Sequence, residues 1–457
     1  YTFTLKKKYF TQIVILLLFQ TFLFTAVINA ADLNPPENLG FASGEINTYT
    51  LTVTSGSGDG EYQAGEVVQI AADEPDVGQV FAGWGGDLQY VADEGSASTS
   101  LSMPERDVQL VAEYGNAYYV SPDGNDSNPG TQDQPWQTLD KAGDTAQAGD
   151  TVLFMEGVYK APLFPKNSGT EDKWITFKGM EGHEVIIEGG YEVIDWKVHK
   201  GNIYVADWES SWLGAEWATD SWGGSNGFVN VDNGLGAEYW PKPAVDESGF
   251  SAGVEYMEEN SWTYDKEKQK LYLWMADNAN PNNHEIFAAK SHFRSHQGIY
   301  IHGNYGNRYV KYENFKIRLC YRGINIDPTG SEQIKLRDIE AYNVHTGVLN
   351  NKVNKYITMD NIYIHHTNGP GIQNNGNYST MNNIKVHDTG IVEWARWAGP
   401  GVILMGNNNI LKNSEIYNTA YTGAYLETWG TEGEGGRDRS HHNIVENCVI
   451  HNIPGAH

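Results

Sequence analysis

The side chains best suited to chemistry recur at one position of a repeated phrase in the second half of the chain. After residue 310 an Asn or Asp returns six times, and the fourth residue after each copy is an Arg, a Tyr or a His. These residues are Arg318, Tyr342, His365, His387, Tyr417 and His451. Such side chains can bind flat ligands and exchange protons near neutral pH. Stacked rings also occur in repeat proteins with a purely structural role, which is the competing interpretation. We predict that Arg318, Tyr342 and Tyr417 bind substrate and that His365 and His387 are catalytic.

The next position of the repeat carries a second signal. It is occupied in turn by Leu319, Asn343, His366, Asp388, Asn418 and Asn452. Asn at most of these positions is typical of a ladder of turn amides, which His366 and Asp388 interrupt. Departures from a structural pattern are better functional candidates than its regular members. The interruption therefore predicts a catalytic role for Asp388 and a substrate-binding role for His366.

Further carboxylates lie beside two insertions in the repeat, at residues 391–400 and 429–442. Glu393 lies in the first insertion, and Glu427 precedes the second. Insertions in a repeat protein become loops on one face, and neighbouring coils lie about 4.8 Å apart. Acids on adjacent coils would then fall within the roughly 5–10 Å that separates glycosidase acid pairs. We predict Asp388 with Glu427, or Glu393 with Glu427, as general acid and base or nucleophile. Solvated loop acids are the competing interpretation.

Elimination on a uronate is the alternative chemistry, and it needs a base and a cation. The candidate bases are Arg396, His365 and His387. Asp388, Asp327 or Glu427 could hold Ca²⁺ through oxygen ligands. Since no group of residues has the spacing of an established metal motif, no cofactor is predicted beyond that possible Ca²⁺, and no metal ligands are assigned.

Three tryptophans share the same loops. They are Trp394, Trp397 and Trp429. Flat apolar rings stack on the faces of sugar rings, so these side chains are predicted to form a substrate platform.

The repeat that positions these residues has the alternation of a β-strand. Its Asn or Asp residues lie 24, 23, 22, 30 and 34 residues apart, and a short phrase beginning with Gly follows most copies. The predicted inward residues are Phe315, Ile317, Ile339, Ala341, Ile362, Ile364, Ile384, Val386, Ser414, Ile416, Cys448 and Ile450. A period near 22 with at least two strands and two bends indicates the coil of a parallel β-helix.

The start of the chain has the features of an export signal. Lys6, Lys7 and Lys8 precede an apolar run over residues 13–27, and small residues suitable for cleavage follow. Residues 1–30 are therefore predicted to be a signal peptide, with an uncleaved anchor as the alternative, and residues 31–48 a linker. The chain begins with Tyr1 and ends at His457 directly after a repeat strand, so we expect a fragment whose C-terminus is truncated.

The charge of the chain limits its partners. The 457 residues carry a formal net charge of −27. An acidic chain is unsuited to nucleic acid. It also disfavours a polyanionic substrate unless a local basic groove or bound Ca²⁺ offsets the charge.

Residues 49–115 read as a small β module. They contain Phe81-Ala82-Gly83-Trp84 and a Met103-Pro104 turn before a last strand. This pattern resembles the internalin-type bacterial B-repeat, which implies a bacterial secreted or cell-surface protein. The resemblance also implies that the module is a spacer or attaches to a surface or glycan, with Trp84 in its core.

Residues 117–457 are predicted to form the β-helix domain. The segment 117–160 contains an Asx/Pro/Gly loop, a short helix from about Thr138 to Ala146, and a strand entered through Gly149-Asp150. It resembles the start of right-handed, pectin-lyase-like β-helix enzymes such as pectate lyase family 9 relatives. Eight tryptophans between residues 191 and 290 mark an inserted β subdomain, similar to that of glycoside hydrolase family 141 relatives.

The sequence therefore predicts an all-β chain: a right-handed parallel β-helix with an inserted β subdomain and a small N-terminal β module. The resemblance implies a secreted enzyme that cleaves glycosidic bonds of a polysaccharide, by hydrolysis in the leading hypothesis. A polysaccharide lyase is the close alternative, and a non-catalytic glycan-binding or adhesion protein is the alternative from another class.

Overall fold

The computed structural model describes residues 47–208, 228–235, 237–247, 252–265, 267–289, 297–302, 307–327, 330–351, 353–391, 399–426 and 440–453. The predicted signal peptide lies outside these ranges. Within them, no helix has the length and apolar character that crossing a membrane requires.

The N-terminal module is built from two small sheets. Its strands are β1 (Thr48–Thr54), β2 (Gly56–Ser57), β3 (Gly60–Gln63), β4 (Val67–Ala72), β5 (Gln79–Gly86), β6 (Ser98–Ser102) and β7 (Val108–Val120). Trp84 is buried in the module's core, and its indole N–H donates to the carbonyl oxygen of Ser96 at 2.9 Å. The core role expected for Trp84 is therefore the one that the structure shows.

Strand β7 belongs to both the module and the β-helix. Its first half pairs in parallel with β1 and antiparallel with β5, while residues 117–120 pair in parallel with residues 151–154. A parallel sheet of the β-helix thus continues directly from the module, with no linker between them.

The first coils follow a short capping helix. These elements are α1 (Leu139–Thr145), β8 (Thr151–Phe154), β9 (Gly157–Lys160), β10 (Ile175–Gly179) and β11 (Val185–Glu188). The Thr138 hydroxyl caps α1 by accepting from the backbone N–H of Lys141 at 3.1 Å, and Asp126 in turn binds that hydroxyl at 2.7 Å. The predicted helix is therefore confirmed. Its apolar residues Leu139 and Ala142 pack into the core of the β-helix.

An inserted β subdomain separates these coils from the regular ones. Its strands are β12 (Tyr191–Glu192), β13 (Lys197–Lys200), β14 (Ile203–Asp207), β15 (Phe228–Val231), β16 (Lys242–Pro243), β17 (Ser261–Asp265), β18 (Lys270–Trp274) and β19 (Ile286–Ala289). All of its described pairings except β16 with β17 are antiparallel. Trp196, Trp208 and Trp262 fill its own core, which confirms the predicted subdomain.

Short 3₁₀ turns complete the described helical structure. They are Leu88–Tyr90, Ala237–Tyr239, Val254–Tyr256, Ala276–Asn278 and Pro281–Asn283.

The regular coils alternate between long and short strands. They are β20 (Gln297–Ile301), β21 (Arg308–Arg318), β22 (Arg322–Ile326), β23 (Glu332–Val344), β24 (Thr346–Asn350), β25 (Lys355–Thr367), β26 (Ile372–Asn374), β27 (Thr380–Thr389), β28 (Val402–Leu404), β29 (Ile410–Lys412), β30 (Glu415–Thr419), β31 (Ala424–Leu426), β32 (Ile444–Glu446) and β33 (Val449–His451). Each strand pairs in parallel with its equivalent one coil along. The parallel β-helix predicted from the repeat is therefore confirmed.

The repeat Asn or Asp divides each long strand into two arms. All six have a left-handed backbone, with φ between 50° and 59°. Asn and Asp tolerate this conformation better than most residues, which explains the composition of the repeat. Their side chains also bond from coil to coil, as in Asn383 to Asn361 at 3.1 Å and Asn447 to Asn413 at 2.6 Å.

The alternation buries the predicted inward residues in one continuous core. Cys448 and Ile450 are exceptions, because no described coil packs beyond the one that carries them. Cys448 is only partly buried, and Ile450 is 41% exposed.

Candidate functional site

The Arg, Tyr and His residues of the repeat lie directly opposite one another on the second arms of the long strands. The aligned set, here called the ring column, is Arg318, Tyr342, His365, His387, Tyr417 and His451. From Tyr342 onward the rings are nearly parallel, with successive centroids 5.3, 5.3, 4.6 and 5.0 Å apart. The column is thus a continuous stack along one face.

A second aligned set lies two residues earlier on the same face. This polar column consists of Lys316, Glu340, Tyr363, Lys385 and Glu415. It was not predicted, although the strand alternation that locates the ring column places these side chains beside it.

One hydrogen-bonded chain links the two columns through Glu340, His365 and His366. The Nε2 of His365 lies 3.1 Å from Glu340 Oε1, and its Nδ1 lies 2.8 Å from His366 Nδ1. The bond from His365 lowers the pKa of Glu340, so this carboxylate is ionised. A neutral imidazole has one donor and one acceptor nitrogen. When His365 is neutral, it donates to Glu340 and accepts from His366 Nδ1–H, which leaves a lone pair on His366 Nε2.

A second chain links Tyr363, His387 and Asp388. The Tyr363 hydroxyl lies 2.8 Å from His387 Nε2, and His387 Nδ1 lies 2.6 Å from Asp388 Oδ2. Tyr363 therefore donates to His387, which donates to Asp388. The other Asp388 oxygen accepts from Asn418 at 3.2 Å. Burial raises the pKa of Tyr363, which keeps the phenol protonated at neutral pH.

The two chains meet where His366 Nε2 faces Asp388 Oδ2 at 3.8 Å. Burial lowers the pKa of His366 and of His387, and it outweighs the opposing effect of the Asp388 charge. With His366 neutral, two hydrogen-bond acceptors face each other across this gap. An electropositive group belongs between them: a water that donates to both, a proton or a cation.

Left-handed backbone also marks His366 and Asp388. Both have φ of 52°. The residues that follow the ring column, here called the turn column, include Asn343, Asn418 and Asn452, whose φ angles lie within a few degrees of this value. This conformation costs most L residues about 1 kcal/mol, and less for Asn and Asp. His366 is therefore held in a turn better suited to Asn.

The described cations of this face are ion-paired. Arg318 lies 2.7 Å from the buried carboxylate of Glu188, which also binds Lys160 at 2.6 Å. Lys385 lies 3.6 Å from Glu415. Lys316 is paired as well, with Glu184 at 2.6 Å and Glu340 at 3.6 Å. The substrate-binding role of Arg318 stays a prediction, because its guanidinium is already bound by Glu188.

The structure brings seven of the predicted site residues together: the ring column up to Tyr417, with His366 and Asp388. The other predicted residues lie outside the described ranges: Glu393, Arg396, Glu427, Trp394, Trp397 and Trp429. Asp327, a predicted Ca²⁺ ligand, directly follows β22, which belongs to a different sheet, and it accepts from the Tyr300 hydroxyl at 3.1 Å.

One group of described residues has the geometry to hold a metal ion. The potential ligand atoms of His366, His387 and Asp388 all lie within 4.8 Å of one another. Imidazole nitrogen suits transition metals better than Ca²⁺, which prefers oxygen.

Comparison with known proteins identifies the module and the fold. Residues 49–117 match the family model described as Divergent InlB B-repeat domain, which confirms the B-repeat resemblance. The chain is 47% identical over 75 residues to the uncharacterized protein YwoF of Bacillus subtilis. It is 40% identical over 73 residues to pectate lyase PEL9 of Emericella nidulans. Each match covers 16% of this chain, and the chain spans only 16% and 18% of these curated relatives.

A solved structure agrees with the architecture. The structure described as the complex of XylC with xylose superimposes with a TM-score of 0.52 at 15% identity, over 73% of this chain and 63% of that one. At this identity the likeness concerns the fold, and it confirms the β-helix.

Proposed function

We propose that this chain belongs to a secreted carbohydrate-active enzyme that cleaves glycosidic bonds of a polysaccharide on the face bearing the ring column. The observation that carries the proposal is the meeting of two hydrogen-bonded chains at Asp388, beside a stack of flat rings. Glycosidic cleavage requires acid and base groups that flank the scissile bond, and the ring edges along the stack can contact sugars.

Each described group has a role in this proposal. His366 Nε2 and Asp388 Oδ2 hold the attacking water, and one of them takes the proton that it loses. The Tyr363 phenol turns its single proton from His387 to the leaving oxygen, unless Glu393 or Glu427 supplies that acid. Tyr342 and Tyr417 contact sugar rings at either side of the centre.

Hydrolysis of a neutral or weakly charged glycan agrees best with the charges. Elimination requires a cation to neutralise the uronate carboxylate, and Lys316, Arg318 and Lys385 already face carboxylates of the protein. The formal charge of −27 adds to this preference.

One observation favours elimination as the second candidate. A protonated phenol at Tyr363 and a neutral imidazole at His366 form an acid and base pair suited to removing a proton α to a carboxylate. A bound Ca²⁺, or Arg396, would then have to neutralise the substrate.

The reaction products decide between these chemistries. We would incubate the protein with a panel of polysaccharides in ¹⁸O-labelled water. Hydrolysis places one ¹⁸O in each new reducing end, whereas elimination places none and gives an ultraviolet-absorbing unsaturated uronate. Binding without any bond cleavage across the panel would instead support the non-catalytic alternative, with the N-terminal module serving attachment to a surface or glycan.

A further inference from the structure

We infer that a transition-metal dication binds between His366, His387 and Asp388. This inference rests on the proposed function and deepens it: with an ion in place, His366 and Asp388 would position the attacking water as ligands of the ion instead of contacting it directly. It is tested without any substrate. It rests on the geometry of the three side chains and on the hydrogen bonds that orient them.

The gap has the dimensions of a coordination site. His366 Nε2 and Asp388 Oδ2 are 3.8 Å apart, and both present lone pairs to the space between them. One cation can lie about 2.0–2.2 Å from both atoms, which are ordinary bond lengths for imidazole nitrogen and carboxylate oxygen. The Nδ1 of His387 is hydrogen-bonded to the same carboxylate oxygen at 2.6 Å, and the three ligand atoms all lie within 4.8 Å of one another, so a small shift of the His387 ring brings a third donor to the ion. Three protein donors leave coordination positions free for water or substrate oxygen.

The surrounding residues hold these donors in place. Glu340 fixes His365, and His365 fixes the tautomer of His366 so that Nε2 is bare. Asn418 holds the second oxygen of Asp388. Metal-binding histidines commonly have their other nitrogen bonded in this way.

The third ligand requires one proton to move. His387 now carries its proton on Nδ1. On binding metal through Nδ1 it carries the proton on Nε2, which then donates to the Tyr363 oxygen at 2.8 Å. The Tyr363 proton becomes free to bond to a substrate, so no buried polar atom loses its partner.

The donor set selects the kind of ion. Two imidazoles and one carboxylate suit Zn²⁺ and its divalent first-row neighbours, whereas Ca²⁺ takes six to eight oxygen ligands. The competing occupants of the gap are a water and a proton on His366.

Direct titration separates these occupants. Full-length protein is treated with a chelator, dialysed, and titrated with Zn²⁺ and, separately, Ca²⁺ by calorimetry. Because His441 and His442 form an exposed pair that can bind Zn²⁺, their double Asn variant serves as the background. We expect one Zn²⁺ per chain, a raised melting temperature on binding, and at least a 100-fold loss of affinity in His366→Asn and in Asp388→Asn.

A matched control is His451→Asn, which changes a ring-column histidine that is not a ligand and should bind Zn²⁺ as the background does. The inference is overturned if the chelated protein binds no Zn²⁺, or if His366→Asn and Asp388→Asn bind it unchanged. Zn²⁺ binding with no cleavage of any glycan would support the metal site and contradict the proposed function, whereas cleavage by a protein that binds no Zn²⁺ would do the reverse.

Discussion

At the scale of single residues, the turn that holds His366 explains why the site can be recognised. The turn column is otherwise Asn-rich in its regular coils, and all its members have left-handed backbone. His366 replaces a side chain suited to the turn with one that is not, and gains a bond to His365 and a lone pair aimed at Asp388. Leu319 also departs from Asn in this column, but its side chain is fully buried, so it is the bonds of His366 and not the departure alone that mark the site.

The first prediction concerns the stability of His366→Asn. Asn relieves the backbone cost of about 1 kcal/mol but loses the bond to His365, worth a similar amount. The free energy of unfolding should therefore stay within about 1 kcal/mol of the wild type, measured by chemical denaturation. A loss of several kcal/mol would show that His366 is a structural residue.

The second prediction concerns the Tyr363 hydroxyl. Tyr363→Phe keeps the ring but removes the proton that reaches His387. Cleavage should fall about 10²–10⁴-fold, the usual effect of losing an acid or base group. Tyr378→Phe, at an exposed ring that stacks on Tyr356, is the matched control and should cleave normally. Equal rates for the two variants would exclude Tyr363 from the chemistry.

At the scale of elements, the module is fixed to the β-helix by charges as well as by strand β7. The Arg337 guanidinium of β23 donates two hydrogen bonds, of 2.8 and 2.6 Å, to the Asp93 carboxylate of the module. Two residues earlier on the same strand, Lys335 pairs with Glu94. These residues lie more than two hundred positions apart, so no local pattern in the sequence could reveal the contact.

The third prediction follows from the pKa of Asp93. Its hydrogen bonds from Arg337 lower that pKa below the ordinary value of 3.8. The pair therefore stabilises the fold above pH 3.8, and the contribution disappears as the pH falls through the lower, folded-state pKa. Because the pair is a third exposed, we expect about 0.5–1 kcal/mol.

The free energy of unfolding is measured for wild type and for Asp93→Asn between about pH 2.5 and 6, a range that begins below the ordinary carboxylate pKa of 3.8 and ends above it. The variant should be less stable at pH 6, and the difference should shrink towards pH 2.5. A difference that does not change with pH would mean that charge is not its source.

The elements also show what a sequence can predict. The spacing of the repeat Asn and Asp residues predicted the coils, and the position four residues after each of them predicted the ring column. Both predictions were possible because strand alternation and the coil period depend on residues that are close together in the sequence. Glu340 and Tyr363 were missed, since their importance depends on bonds to histidines one coil away. The boundary between residues 115 and 117 falls inside β7, and a side chain at Gly115 would collide there with the Gly149 carbonyl oxygen, a contact that the local sequence does not reveal.

At the scale of the whole molecule, strand β7 couples the module to the β-helix, because it pairs with strands of both. Residues 117–120 of β7 pair with β8 in the first coil of the β-helix, whose backbone edge would otherwise be unpaired on that side. Both parts should therefore lose structure together.

The fourth prediction is a single cooperative thermal transition for the module and the β-helix. Scanning calorimetry should show no separate early melting of the module, and the tryptophan fluorescence, to which Trp84 contributes, should change at the same temperature as the circular dichroism. A separate low-temperature transition in the fluorescence that Trp84→Phe removes would mean that β7 does not couple the two parts.

The central claim is that the ring-bearing face cleaves glycosidic bonds, and one measurement tests it most directly. Release of reducing ends from a polysaccharide panel is followed for wild type, His366→Asn and Asp388→Asn at equal concentration, with folding verified for each. The account predicts cleavage by the wild type and at least a 100-fold lower rate for both variants. Wild-type rates in the two folded variants would contradict it.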